Sequence, residues 1–116
     1  MADVVYLVED LFFVAKIREA TAQLGASAEG ATDAAGFAAG ARGAKLAIVD
    51  LRRPDAERAL ELLAAAPGAA GVRSVGFVDH ENVEAMRAAA ERGCGTVLSK
   101  RKFASELPEL VAGSRR

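Results

Sequence analysis

Two kinds of apolar pattern alternate along this chain. Short, nearly continuous runs rich in Val, Ile and Leu cover 4–8, 45–49, 72–78 and 96–98. Such runs mark strands buried on both faces of a parallel sheet. A weaker stretch at 26–31 predicts an edge strand. Between the runs lie segments with the three-to-four-residue spacing of amphipathic helices. Over 11–24, Val14, Ile17, Thr21 and Leu24 share a face, and Gly25 ends the helix. Thr32 or Asp33 caps a short second helix that ends near Ala41, weakened by Gly36 and Gly40 and closed by Gly43. Pro54 and Asp55 open a third, with Ala59, Leu60, Leu63 and Ala66 as its inner face, and 67–71 reads as loop. Asn82 caps a fourth that runs to Arg92, with Val83, Met86, Ala89 and Ala90 facing inward. The fifth covers 103–111 and contains Pro108, which is expected to interrupt or shift its first turn. The sum is five βα units. Right-handed crossovers then predict one parallel sheet with helices on both faces.

Composition narrows the class. The chain has 116 residues and is 52% hydrophobic, enough for a single domain, 1–116, with one core. A net charge of −1 and no large basic block give no basis for nucleic-acid binding, and Ser114, Arg115 and Arg116 read as a solvated tail. No apolar run approaches a membrane span, and the N-terminus lacks the pattern of a signal peptide. Cys94 is the only cysteine, so an intrachain disulfide and a cysteine metal cluster are excluded. A cytoplasmic protein is expected.

The candidate chemistry sits where strands end. Glu9 and Asp10 follow the run at 4–8, Asp50 follows that at 45–49, and Lys100 follows the last. In a parallel α/β sheet the carboxyl ends of strands converge on one crevice. Three carboxylates and an amine gathered there suggest a site for Mg²⁺ and a phosphoryl group. The same acids also suit helix N-termini as caps.

Three motifs at these positions resemble the receiver domain of bacterial response regulators. Val8-Glu9-Asp10 is similar to the family's acidic pair, and Ile48-Val49-Asp50-Leu51, with Pro54 four residues on, to its phosphoacceptor motif. The stretch from Gly93 to Lys100 is similar to the family's segment that ends in a conserved-type lysine. The resemblance spans nearly the whole chain and implies a flavodoxin-like doubly wound five-stranded sheet of order 2-1-3-4-5. It implies Asp50 as phosphoacceptor, Glu9, Asp10 and Asp50 as Mg²⁺ ligands, and Lys100 as partner of the phosphoryl group. It further implies signalling through a protein partner: a histidine kinase, a phosphotransferase or an output protein.

Other positions depart from that pattern. The family's hydroxyl position falls on Val78, which has no donor; a hydrogen bond to a charged group is worth about 1.5–3 kcal/mol. The next residue, usually small, is Asp79, whose carboxylate is expected to repel a phosphoryl dianion. The aromatic switch position is Val97, so a ring rotation there is impossible. Arg52 stands two residues after Asp50, where its guanidinium can lie across the acids without metal. His80 is read as a residue of the pocket rim, and Cys94 as a small turn residue. Phe12 and Phe13 begin the first helix; both are expected to fill space against neighbouring loops, although adjacent helical residues do not share a face. Val83, Met86 and Val97 border a surface suited to partners. Lys100 is expected to pair with Asp50 even in an inactive site.

The retained acids and lost switch together point to an atypical receiver, or pseudo-receiver, that works by protein binding and not as an enzyme. One alternative is a phosphorylatable single-domain regulator in a phosphorelay. Another is an aspartyl-phosphate hydrolase, which would need an acid where Arg52 stands and a substrate cap for which the chain has no spare length. A nucleotide or flavin binder lacks the Gly-rich phosphate loop. With no length for a DNA-binding domain, output acts in trans or in a longer parent chain.

Overall fold

In the computed structural model, residues 2–66 and 71–113 are described. The loop expected at 67–71 falls mostly outside them, as does the C-terminal tail from Ser114. Strands and helices alternate: β1 Val4–Leu7, α1 Leu11–Gln23, β2 Ala28–Gly30, α2 Ala34–Ala41, β3 Leu46–Asp50, α3 Ala56–Ala65, β4 Arg73–Val78, α4 Val83–Glu91, β5 Thr96–Ser99 and α5 Lys100–Gly113. All strand pairings are parallel, in the order β2-β1-β3-β4-β5. This is the flavodoxin-like doubly wound sheet.

The strand sequences explain the two-sided burial. Successive side chains point to opposite faces. Val4, Tyr6, Leu46, Ile48, Val75 and Phe77 face α1 and α5 in one apolar cluster. Val5, Leu7, Ala47, Val49 and Val78 face α2, α3 and α4 in the other. On the first side Phe77 and Phe103 stack at 4.3 Å and 8°, with Phe13 tilted against Phe77 at 4.8 Å. On the second side the packing is close enough to restrict side-chain size. A Cβ on Gly76 would meet Leu51 at 2.9 Å.

Helix ends follow local chemistry. The carboxylate of Asp10 accepts from the Phe12 N–H, that of Asp33 from Gly36, and the Asn82 amide oxygen from Ala85. Asp33, not Thr32, is therefore the cap of α2. Gly25 and Gly93 lie just past α1 and α4 with φ of +66° and +88°, the left-handed region that favours glycine.

Several expectations are corrected. The inner face of α1 is Phe13, Ile17, Ala20 and Thr21; Leu24 is exposed. Phe13 is buried while Phe12 is 58% exposed, because neighbours on a helix point about 100° apart. Phe12 retains an edge-on contact with Phe13 at 5.1 Å. On α4 only Ala89 is buried; Val83 is 68% exposed and Ala90 also faces out. Pro54 precedes α3 rather than forming its first turn, and Ala66 is half-buried. α5 begins three residues early, at Lys100, where the Ser99 hydroxyl accepts from the Lys102 N–H. It runs through Pro108 without a break. A proline inside a helix costs about 3 kcal/mol. Phe103 and Leu107 before it, and Leu110 and Val111 after it, are buried against the sheet. Burial of such side chains contributes about 1.5–3 kcal/mol each, which offsets that cost.

Candidate functional site

The crevice lies at the carboxyl ends of β1 and β3, where the strand order reverses and open α/β sheets place their sites. Asp50, the last residue of β3, is 3% exposed. A carboxylate so buried needs donors or a cation. Arg52 supplies both. Its Nε donates to Asp50 Oδ1 at 2.9 Å and Oδ2 at 3.2 Å, and its Nη2 to Oδ2 at 2.7 Å. Its backbone N–H adds a bond to Oδ1 at 2.9 Å. The local backbone makes this fork possible. The Leu51 N–H is held by the Phe77 carbonyl, and the Arg53 N–H returns to the Asp50 carbonyl, so the chain turns back over its own aspartate.

The same Arg52 Nη2 reaches Asp10 Oδ2 at 3.2 Å, joining the ends of β1 and β3. Asp10 also caps α1 through Oδ1, so both its oxygens are engaged. Arg53 acts beside it. Its Nη1 meets Glu9 Oε1 at 2.6 Å, while Nε and Nη2 take Asp55 Oδ1 and Oδ2 at 2.8 and 3.0 Å. A further bond from Nη2 to the Thr32 carbonyl ties the loops after β1, β2 and β3 through one side chain.

The sequence reading expected Lys100 to pair with Asp50; instead its Nζ lies 2.7 Å from Asp79 Oδ1. Strand register supplies the reason. Val78 pairs with Ser99 across β4 and β5, so the next residues, Asp79 and Lys100, emerge side by side. Asp79 thus serves as the counter-ion of Lys100.

The structure brings Glu9, Asp10, Asp50, Arg52, Arg53 and Pro54 around one crevice of about 400 Å³. Asp79 and His80 line a separate hollow of about 460 Å³ with Glu81 and Asn82, and His80 there is exposed, 3.8 Å from Glu81. Val78 is fully buried in the apolar cluster against α3 and α4; Val97 packs partly against that cluster. Cys94 is buried, its Sγ donates to the Thr96 carbonyl at 3.3 Å, and burial pushes its thiol pKa up, away from nucleophile chemistry. The sequence reading missed Arg53 as a strap and Asp79 as the lysine's partner. Neither pairing can be read locally: that of Asp79 depends on the register of β4 and β5, that of Arg53 on loops up to 44 positions apart.

Charge pairing fixes the titration of the rim. The hydrogen bond from Arg52 holds the Asp10 carboxyl below its ordinary 3.8. Arg53 does the same to Asp55, and Lys100 to Asp79. Hydrogen bonds to Asp50 and Asp55, in turn, raise Arg52 and Arg53. A carboxylate whose pKa is lower folded than unfolded stabilises the fold in full above its unfolded value. That contribution disappears as the pH falls through the folded one. Stability is therefore expected to be insensitive to these groups from pH 7 down to about 4 and to fall below it. Urea midpoints measured across pH 7 to 2 check this; a decline that begins near pH 6 would assign the loss to another group.

The acids do not fit a divalent ion as arranged. Among the described residues no group of three or more His, Cys, Asp or Glu side chains is placed to hold a metal. Both Asp50 oxygens and both Asp10 oxygens accept from nitrogen donors, and Glu9 is bound to Arg53.

The five parallel strands in the order 2-1-3-4-5, with the crevice between β1 and β3, are a fold that this chain shares with receiver domains of response regulators. The chain is similar to a response regulator from Hahella chejuensis, at 15% identity and TM-score 0.79, covering 98% of this chain and 95% of that one. It is similar to the receiver domain of NtrX from Brucella abortus, at 18% identity and TM-score 0.77, covering 97% of each. A third similar structure is the receiver domain of the sensor histidine kinase PA1611 from Pseudomonas aeruginosa, at 13% identity and TM-score 0.74, covering 96% of this chain and 98% of that one. That domain carries a magnesium ion in its active-site cleft. No protein-family model and no curated protein sequence matches the chain.

Proposed function

We propose that this domain is a receiver-like module of two-component signalling that acts by binding another protein and is not switched by phosphorylation of Asp50. The observation that carries the reading is the fork of Arg52 on Asp50, which occupies both carboxylate oxygens. An aspartate nucleophile needs one oxygen free to attack a phosphoryl donor. The diversion of Lys100 to Asp79 and the absence of a hydroxyl at Val78 support the same reading.

The partner is a histidine kinase, a phosphotransferase or an output protein, met in the cytoplasm. Leu11, Phe12 and Val83 are large apolar side chains left exposed, which suits a protein-binding role. Among the described residues no helix is long and apolar enough to cross a membrane. Hydrolase chemistry is disfavoured because the position two residues after the nucleophile holds Arg52, a cation that cannot act as general acid near neutral pH.

The test is incubation with a small phosphodonor and Mg²⁺, read by intact mass, beside the Asp50→Asn variant. No added phosphoryl group is expected, and the variant is expected to keep its binding partner. A phosphoryl adduct on the wild-type chain that is lost in Asp50→Asn would instead establish a phosphorylatable regulator.

A further inference from the structure

Arg52 Nη2 touches the carboxylates of two strands at once, 2.7 Å from Asp50 Oδ2 and 3.2 Å from Asp10 Oδ2. We propose that this guanidinium is the resident cation of the crevice, standing where a divalent ion would sit, and that its removal uncovers a latent two-carboxylate Mg²⁺ site. The inference rests on the function proposed above and names the group that keeps the crevice free of metal.

The geometry supports a substitution of one cation for another. Asp50 is 3% exposed, and its side-chain donors all come from Arg52, with one backbone N–H besides. Without the guanidinium, a buried anion keeps one donor, and a second anion, Asp10, faces it. Such a pair attracts a hard cation. Mg²⁺ commonly binds through one or two carboxylates and completes its octahedron with water. Glu9, 80% exposed and held by Arg53, is not required.

The guanidinium prevails over free ion in the wild-type chain for two reasons. It is tethered two residues from Asp50, so its effective concentration is high and independent of the medium. It is also weakly hydrated and matches a carboxylate with two parallel bonds, whereas Mg²⁺ must give up water.

The experiment is a Mg²⁺ titration of the whole chain by calorimetry and amide NMR, for wild type, Arg52→Ala, Arg52→Gln and Arg52→Ala/Asp50→Asn. Arg52→Ala and Arg52→Gln are expected to bind Mg²⁺ about tenfold tighter than wild type or better, because a positive charge beside both carboxylates is gone. Amide shifts should centre on Asp10 and Asp50, and the double variant should lose the gain. Equal binding by wild type and the single variants would overturn the proposal, since Arg52 would not then hold the ion's place. Absence of binding in every form would overturn it too. If Arg52→Ala fails to fold in chelator, thermal melting decides. A melting temperature that Mg²⁺ raises in the variants and not in wild type supports the proposal, and no rise overturns it. Phosphodonor labelling of wild type tests the proposed function separately, because it reads Asp50 with Arg52 in place.

Discussion

Phe77→Ala is expected to destabilise the fold by about 3–5 kcal/mol, the range for removing a buried aromatic ring from a packed core. Phe77 is fully buried on β4, stacked on Phe103 and in contact with Phe13, so its ring joins the sheet to both helices of one face. Truncation leaves a cavity bounded by strands on one side and by α1 and α5 on the other. Neither can collapse without shifting the sheet. Aromatic contacts add about 0.5–1.5 kcal/mol beyond area burial, which places the loss toward the upper part of that range. A domain of this size is stable by about 5–15 kcal/mol in total, so the variant should lose a large share of its stability. Phe12→Ala, one helix position from Phe13 but 58% exposed, is expected to change stability by less than about 0.5 kcal/mol. Urea unfolding of the two variants measures the contrast. Similar losses in both would mean that the exposed ring contributes to the core as much as the buried ones do.

Arg52→Met should destabilise the chain by about 2–3 kcal/mol in chelator at pH 7. Breaking a buried ion pair from one side costs about 3–5 kcal/mol, because the remaining charge is stranded. Two features lower the figure here. Arg52 is 32% exposed, so water reaches the site, and Asp50 keeps the bond from the backbone N–H of residue 52. Asp50→Asn strands no buried charge, since Arg52 can turn to Asp10 and solvent; its cost should be about 1 kcal/mol. The double variant Asp50→Asn/Arg52→Met is expected to lose less than the sum of the two, with a coupling of about 1.5 kcal/mol. Denaturant unfolding of all four forms provides the cycle. Strict additivity would mean that the fork seen between these two side chains contributes no net stability.

Much of the candidate site was legible before the fold. Glu9, Asp10 and Asp50 were recognisable because each follows an apolar run, and the end of a strand is a local property of sequence. Arg52 was singled out for its spacing from Asp50, and its guanidinium does lie across Asp10 and Asp50. The pairing of Lys100 was not legible in the same way. It depends on which strand lies beside β5 and in what register. Once Val78 meets Ser99, Asp79 and Lys100 emerge side by side and pair. The role of Arg53 is likewise hidden, because its partners come from three loops separated by up to 44 positions.

Helix faces show the same division. The spacing of apolar residues placed α1 and α4 correctly along the chain, yet it assigned Leu24, Val83 and Ala90 to the inside. Burial depends on which neighbours a helix meets as well as on its own spacing, and Leu24, Val83 and Ala90 stand at or beside the ends of α1 and α4. Pro108 was expected to disturb α5, on the local argument of a lost hydrogen bond. Four buried side chains on the same helix outweigh that local cost.

The five strands, the helix after each of them, the parallel sheet and the strand ends where the acids stand were all legible in residue-by-residue patterns of burial and in the handedness of short crossovers, whereas the order 2-1-3-4-5 came from the resemblance to receiver domains. Only the tertiary structure decided which cation meets which anion. Ion pairing acts over a few ångströms between residues far apart in the chain. It is therefore set by strand register and by the turn that folds Arg52 back onto Asp50.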